Sequence, residues 1–174
     1  MLVSRQLRET NIVEYLLYMW QVEDLIRSSE FNAERIVELV IASEEYDDVI
    51  KNEWTEWYRN LIDMMINEGV TERGHLMINR STMVILSDFH RELMESAEEK
   101  EYHALFLEVL PFIAEYRSKN NRTGEEIIEE CLELIYGIWM LRLQKRPISD
   151  ETDKAVKKVS DFLASLTAKY KKKR

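Results

Sequence analysis

Four glycines and two prolines are all the turn-forming punctuation in this chain of 174 residues. A β-sandwich or a doubly wound sheet draws most of its tight turns from such residues, so little turn chemistry is left for either. The chain is rich in Glu, Leu, Ile, Met, Lys and Arg, which lose little freedom on entering a helix. No run of alternating β-branched residues bounded by turn signals competes with that reading. No repeat of fixed period suggests a solenoid. The length suits one domain able to bury a full core. The expectation is all-α: a single-domain bundle over residues 1–174, built from about seven mostly antiparallel helices.

Caps and apolar spacing place those helices. Asn11 followed by Glu14 reads as a capping box for a first helix from about Ile12 to Arg27, with Ile12, Leu16, Met19 and Ile26 on one side. Asn32 caps a second, carrying Ile36, Leu39 and Val40. A third starts near Asp47 or Asp48, shows Ile50, Trp54, Trp57, Leu61 and Met64, and ends with Gly69 at C′. The fourth turns Ile78, Thr82, Ile85, Phe89 and Leu93 inward. The fifth presents Tyr102, Phe106, Val109, Ile113 and Tyr116, with Pro111 on the opposite face and Asn120 and Asn121 closing it. Thr123 with Glu126 caps a sixth, from about Gly124 to Lys145. Pro147 stops it, and Ser149 caps a seventh, which shows Ala155, Val159, Phe162, Leu163, Leu166 and Tyr170. Residues 168–174 form a basic tail expected to fray.

Several functions drop out. One cysteine, Cys131, excludes an internal disulfide framework and a cysteine-based zinc site. It shares a stripe with Ile128, Ile135 and Ile138, where a thiol is buried and inert. "MLVSRQLRETN" lacks the apolar core of a secretory signal. "LIYGIWML" (Leu134 to Leu141) falls well short of the roughly 20 residues a membrane span requires. A soluble, cytoplasmic protein is expected. The net charge of −9 is uneven, because residues 151–174 carry +5 and residues 1–150 carry −14. An acidic body argues against nucleic-acid binding except through Lys169, Lys171, Lys172, Lys173 and Arg174. For that tail, a solvated helix end is the simpler reading. No phosphate loop, nucleophile elbow, Cys-x-x-Cys or His-Glu-x-x-His is present.

The stretch "GVTERGHLMINRSTMVILSDFHRELM" (Gly69 to Met94) holds two of the three histidines. His75 and His90 lie 15 residues apart, about 22 Å along one helix, so they cannot share a metal. Asp88 and His90 point to nearly opposite sides and make no acid–base pair. Asp88 reads as surface charge beside Arg91 or Glu92. A di-metal bundle needs two Glu-x-x-His motifs, and the chain offers one, Glu72 to His75, across Gly74. The expectation is no metal and no cofactor. His75 and Asn79, however, fall on the apolar stripe of Thr82, Leu86 and Leu93. They form a small polar cluster at the start of a buried face, most simply a satisfied core histidine.

Two charges break the pattern. Glu23 lies among Leu16, Met19 and Ile26, and Arg142 among Cys131, Ile135, Ile138 and Trp139. A lone buried charge is costly and a paired one tolerable. Either both reach water at bundle edges, or they pair or line one polar cavity. Glu23, His75, Asn79 and Arg142 are therefore the candidate polar site, with no catalytic residue assigned. The first predicted helix is also apolar off its main face (Val13, Leu17, Tyr18, Trp20). Such a helix is central to the fold or part of an interface, which makes a homodimer through it plausible.

"LVSRQLRETNIVEYLLYMWQVEDLIR", "INEGVTERGHL", "LPFIAEYR" and "YGIWMLRLQKRPIS" resemble an uncharacterised all-helical domain-of-unknown-function family of Bacteroidetes bacteria. The likeness spans nearly the whole chain and implies a single cytosolic bacterial domain. It brings no activity, ligand or catalytic residue with it. The leading functional expectation is a non-enzymatic protein–protein interaction or scaffold domain, with a protein partner or itself. The alternative is a ligand-binding or enzymatic bundle at Glu23, His75, Asn79 and Arg142. Nucleic-acid association through the tail is weaker.

Overall fold

The computed structural model describes residues 2–41, 46–121 and 126–173. Among them are eight α-helices and no strand: α1 (Leu2–Thr10), α2 (Ile12–Ser28), α3 (Ala33–Ile41), α4 (Asp48–Asn67), α5 (Met77–Glu95), α6 (Lys100–Asn120), α7 (Ile127–Leu143) and α8 (Asp150–Lys173). They fall into two compact units. The first comprises Met1–Thr10 and Glu14–Ser81, the second Asn11–Val13 and Thr82–Arg174.

In the first unit the helix ends follow local chemistry. The Asn32 side chain accepts the Arg35 N–H at 2.9 Å, which starts α3. Asp47 accepts the Val49 N–H and starts α4. The left-handed conformation of Gly69 (φ +69°) ends α4. There the Val70 N–H reaches the Met65 carbonyl at 3.0 Å and the Gly69 N–H the Ile66 carbonyl at 3.2 Å, the two bonds of a Schellman motif. α3 packs on α4. The core of α2 is Tyr15, Leu16, Met19, Trp20, Val22 and Ile26, all buried.

In the second unit α8 packs against α6 and α7, and α6 against α7. Ser149 accepts the Thr152 N–H at 3.2 Å at the start of α8. Ala155, Val159, Phe162, Leu163 and Leu166 form its buried stripe. Asn121 takes a left-handed conformation (φ 51°) at the end of α6. Pro111 sits inside α6 on an exposed face without ending the helix.

Some expectations are corrected. α1 (Leu2–Thr10) is an additional helix, ahead of the capping box from which the first helix was counted. On α4 the buried residues are Tyr58, Leu61, Ile62 and Met65, while Ile50 is exposed and Trp54, Trp57 and Met64 are half-buried. Two adjacent stripes compete there, and the one facing the neighbouring helix wins. On α3, Val37 is buried in place of Leu39 and Val40, and on α5, Met83 and Leu86 in place of Ile78 and Ile85. α7 begins at Ile127 with Glu126 at its N-cap making no side-chain capping bond. Thr123 and Gly124, expected to start that helix, lie outside the described residues. At the basic end α8 runs to Lys173.

Candidate functional site

The N-cap position of α5 is Leu76, an apolar residue with no side-chain acceptor for the orphan amides of a helix start. Those amides are met from a distance. Glu68, just past α4, accepts the Met77 N–H at 2.6 Å. Glu23, in the middle of α2, accepts the Leu76 N–H at 2.9 Å and the Asn79 side-chain amide at 2.6 Å through Oε1. Its Oε2 lies 2.6 Å from His75 Nδ1. A carboxylate only accepts, so an ionised Glu23 fixes the imidazole hydrogen on Nδ1 and leaves Nε2 as the basic nitrogen. The Trp20 ring stacks on that imidazole at 4.2 Å and 12°. The Tyr15 hydroxyl donates to Asn79 Oδ1 at 3.4 Å. Glu23 and Asn79 are fully buried, whereas the His75 side chain keeps 24% of its surface. Below them, Arg27 bonds Asp24 at 2.9 Å and the Val70 carbonyl at 3.1 Å, and also the Gly74 carbonyl, which pins the loop that carries His75.

The structure thus brings Glu23, His75 and Asn79 together. Arg142 belongs to the second unit and has a partner there. The Arg142 guanidinium donates to Asp153 at 2.7 Å with half its side chain (51%) exposed. Arg142 lies in the last turn of α7, where a long side chain reaches water whatever its wheel angle. Of the apolar residues off the main face of α2, Val13 and Trp20 are buried and Leu17 and Tyr18 half-buried.

Two buried polar pairs in the second unit were not expected. On α5, His90 Nδ1 lies 2.7 Å from the Tyr102 hydroxyl of α6. The rings of Phe106 and Phe162 stand edge-on to it at 5.0 and 5.7 Å. On α6, Arg117 grips the buried Glu130 of α7 through Nε at 2.8 Å and Nη2 at 2.7 Å, a bidentate bond. Both pairs carry a wheel signal. His90 continues the Met83–Leu86 series, and Glu130 sits beside Ile127 and Cys131.

Burial, with the Arg91 charge adding, pushes His90 down to about 4 from an ordinary 6.5. Its ring is therefore neutral in the folded protein at neutral pH, while the unfolded chain binds a proton sooner. Between those two values the unfolded state holds more protons, so stability rises with pH and is lost as pH falls through the window. Urea midpoints at pH 7 and pH 4.5 are expected to differ less in a His90→Gln variant than in the parent. Equal pH dependence in the two proteins would show that His90 is not the group responsible.

The remaining candidates are ordinary. Burial, with Glu130 alongside, raises the Cys131 thiol far above its usual range, so it is not a nucleophile. Asp88 pairs with Arg91 on the surface. His103 Nε2 bonds the Leu93 carbonyl at 2.9 Å. Lys169 and Lys173 pair with Glu99 and Glu92, and Lys173 also sits 5.0 Å above the Phe89 ring. Among the described residues no group of three or more His, Cys, Asp or Glu could hold a metal ion, and no helix is long and apolar enough to cross a membrane.

An all-helical chain whose buried charges hold helix to helix is the class these observations define. Residues 1–174 match the model of a family described as a domain of unknown function, DUF4924, and the chain belongs to that family. No curated protein and no solved structure matches it.

Proposed function

We propose that this is a non-enzymatic protein–protein interaction domain, working in the cytoplasm of a Bacteroidetes bacterium and folding as one domain over residues 1–174. The observation that carries the reading is an apolar surface on the first unit. Leu39 (58% exposed) and Val40 at the end of α3, with Val49 (63%) and Ile50 at the start of α4, stand in solvent on two helices that pack together. Exposed aliphatic groups gathered into one patch mark an interaction site. The buried charges support the same reading, since Glu23 and Glu130 are engaged by groups of their own units. A partner, a second copy included, has this surface to dock on rather than α2.

The test is affinity capture from native lysate with the parent and with Leu39→Asp/Val49→Asp, alongside light scattering of both pure proteins. The expected result is a captured protein, or a dimer of the parent, that the double variant loses while its circular dichroism is unchanged. Equal capture and equal mass for the two proteins would remove the surface from consideration.

A second reading keeps the first-unit cluster as a ligand site. It is favoured by the partial exposure of His75, oriented by Glu23 below and Trp20 alongside. A buried carboxylate that fixes an imidazole tautomer is the arrangement by which histidine is prepared as a base or ligand.

A further inference from the structure

The three histidines are placed differently. His90 is buried. His103 directs Nε2 at the Leu93 carbonyl, which makes that nitrogen a donor. Among the described residues only His75 turns a nitrogen lone pair toward solvent. We propose that His75 Nε2 is a modification site, which accepts a phosphoryl group from a small acyl phosphate.

The tautomer follows from what surrounds Glu23. Its Oε2 lies 2.6 Å from His75 Nδ1, and its Oε1 accepts the Leu76 N–H and the Asn79 side-chain amide. Asn79 is oriented for that bond, because its Oδ1 takes the Tyr15 hydroxyl. A side chain ringed by donors is held as a carboxylate, so the imidazole hydrogen sits on Nδ1 and Nε2 keeps its lone pair. The Nδ1 edge rests on a glutamate with no exposed surface, and the buried Trp20 covers one face of the ring. The part of His75 that meets solvent is then the opposite edge, which carries Nε2. That nitrogen makes no hydrogen bond among the described residues.

An imidazole lone pair with a carboxylate behind the ring is an activated nucleophile. Nε2 attacks phosphorus and the N–P bond forms. The bond from phosphorus to the acyl oxygen breaks, and the acyl group leaves as a carboxylate. No proton moves: Nδ1 keeps its hydrogen and the ring becomes a cation. Glu23 is the positioning residue, already in place against that cation and fixed there by two donors the reaction leaves alone. The geometry suits a transferred group better than a metal. Among the described residues no group of three or more His, Cys, Asp or Glu could hold a metal ion. A phosphoryl transfer needs one accessible nucleophile and no enclosing cavity. Arg73, exposed and two residues before His75, brings a cation to the same loop for the phosphoryl oxygens.

The inference rests on the same Glu23–His75 bond as the ligand reading of this cluster, and one experiment separates the two. The whole protein is incubated with acetyl phosphate beside N-acetylhistidine in the same tube. Intact mass and phosphorus and nitrogen NMR of the histidine rings follow the reaction. The expected product is a single acid-labile phosphoryl group on His75 Nε2, formed about 10-fold faster than on N-acetylhistidine and absent from His75→Gln. Glu23→Gln turns an NH₂ toward Nδ1, moves the ring hydrogen to Nε2 and should slow the transfer about 10-fold, with the ring nitrogen shifts reporting the tautomer. Transfer no faster than to N-acetylhistidine would overturn the proposal. So would attachment at Nδ1, equal modification of His103, or an unchanged rate in Glu23→Gln. If the parent carries its ring hydrogen on Nε2, the ligand reading falls as well. A hydrogen on Nδ1 with slow transfer removes the phosphoryl site alone.

Discussion

Replacing Glu23 by alanine is expected to destabilise the protein by about 3–5 kcal/mol, seen as a lower urea midpoint at unchanged slope. Three donors converge on this carboxylate: His75 Nδ1, the Leu76 N–H and the Asn79 side-chain amide. Leu76 and Asn79 are fully buried, so water cannot take over when the carboxylate goes. Each stranded donor costs about 1–3 kcal/mol, and the truncated side chain leaves a void besides. Glu23→Gln keeps the shape but turns an NH₂ toward a donor, and should cost about 1–3 kcal/mol. His75→Ala should cost least, because that side chain already meets solvent. Hydrogen exchange adds a local readout. The amides of Met77 to Arg80 should lose protection in the Glu23 variants first, since the carboxylate holds the start of α5. A cost below about 1 kcal/mol for Glu23→Ala would mean that the carboxylate is not what holds this helix start.

The burial of Glu23 could be read from its sequence, and the reason is local. In a helix of 17 residues surrounded by apolar neighbours, an ionisable residue on the inner stripe has no route to water, so its angle alone fixes its depth. His75 and Asn79 were legible for the same reason, lying on the stripe that Leu86 and Leu93 continue. Arg142 had the same angular signal but sits in a last turn, where depth depends on what lies beyond the helix end. A wheel carries no information on that. The aromatic face of α4 failed differently. Trp54 and Trp57 mark one stripe and Tyr58, Ile62 and Met65 its neighbour, and only the position of α3 decides between them. The pairs His90–Tyr102 and Arg117–Glu130 lie 12 and 13 residues apart on consecutive helices. Each residue shows as a polar group on a buried stripe, but its partner becomes visible only once the helix hairpins are closed.

The Arg117–Glu130 pair gives the second large effect, and it is asymmetric. Glu130 is 1% exposed and the Arg117 side chain 30%. Arg117→Ala leaves a carboxylate buried beside Cys131 with its bidentate partner gone, and is expected to cost about 3–5 kcal/mol. Glu130→Ala leaves a guanidinium that already touches water and can swing outward, so its cost should be smaller, about 1–2 kcal/mol. Replacing both, Arg117→Met with Glu130→Leu, removes the ions together. The desolvation they suffer is then relieved along with their attraction, and the double variant should fall within about 1 kcal/mol of the parent. The three variants and the parent form a thermodynamic cycle measurable by urea unfolding. Costs that simply add would show that the two side chains do not act as a unit. A double variant as damaged as Arg117→Ala would show that packing around Cys131, rather than charge, is what the arginine protects. If the cycle closes as expected, the pair contributes little net stability, and its effect is to make α6 and α7 meet in one register. An apolar contact of the same size would tolerate sliding, whereas two parallel N–H···O bonds at 2.7 and 2.8 Å do not.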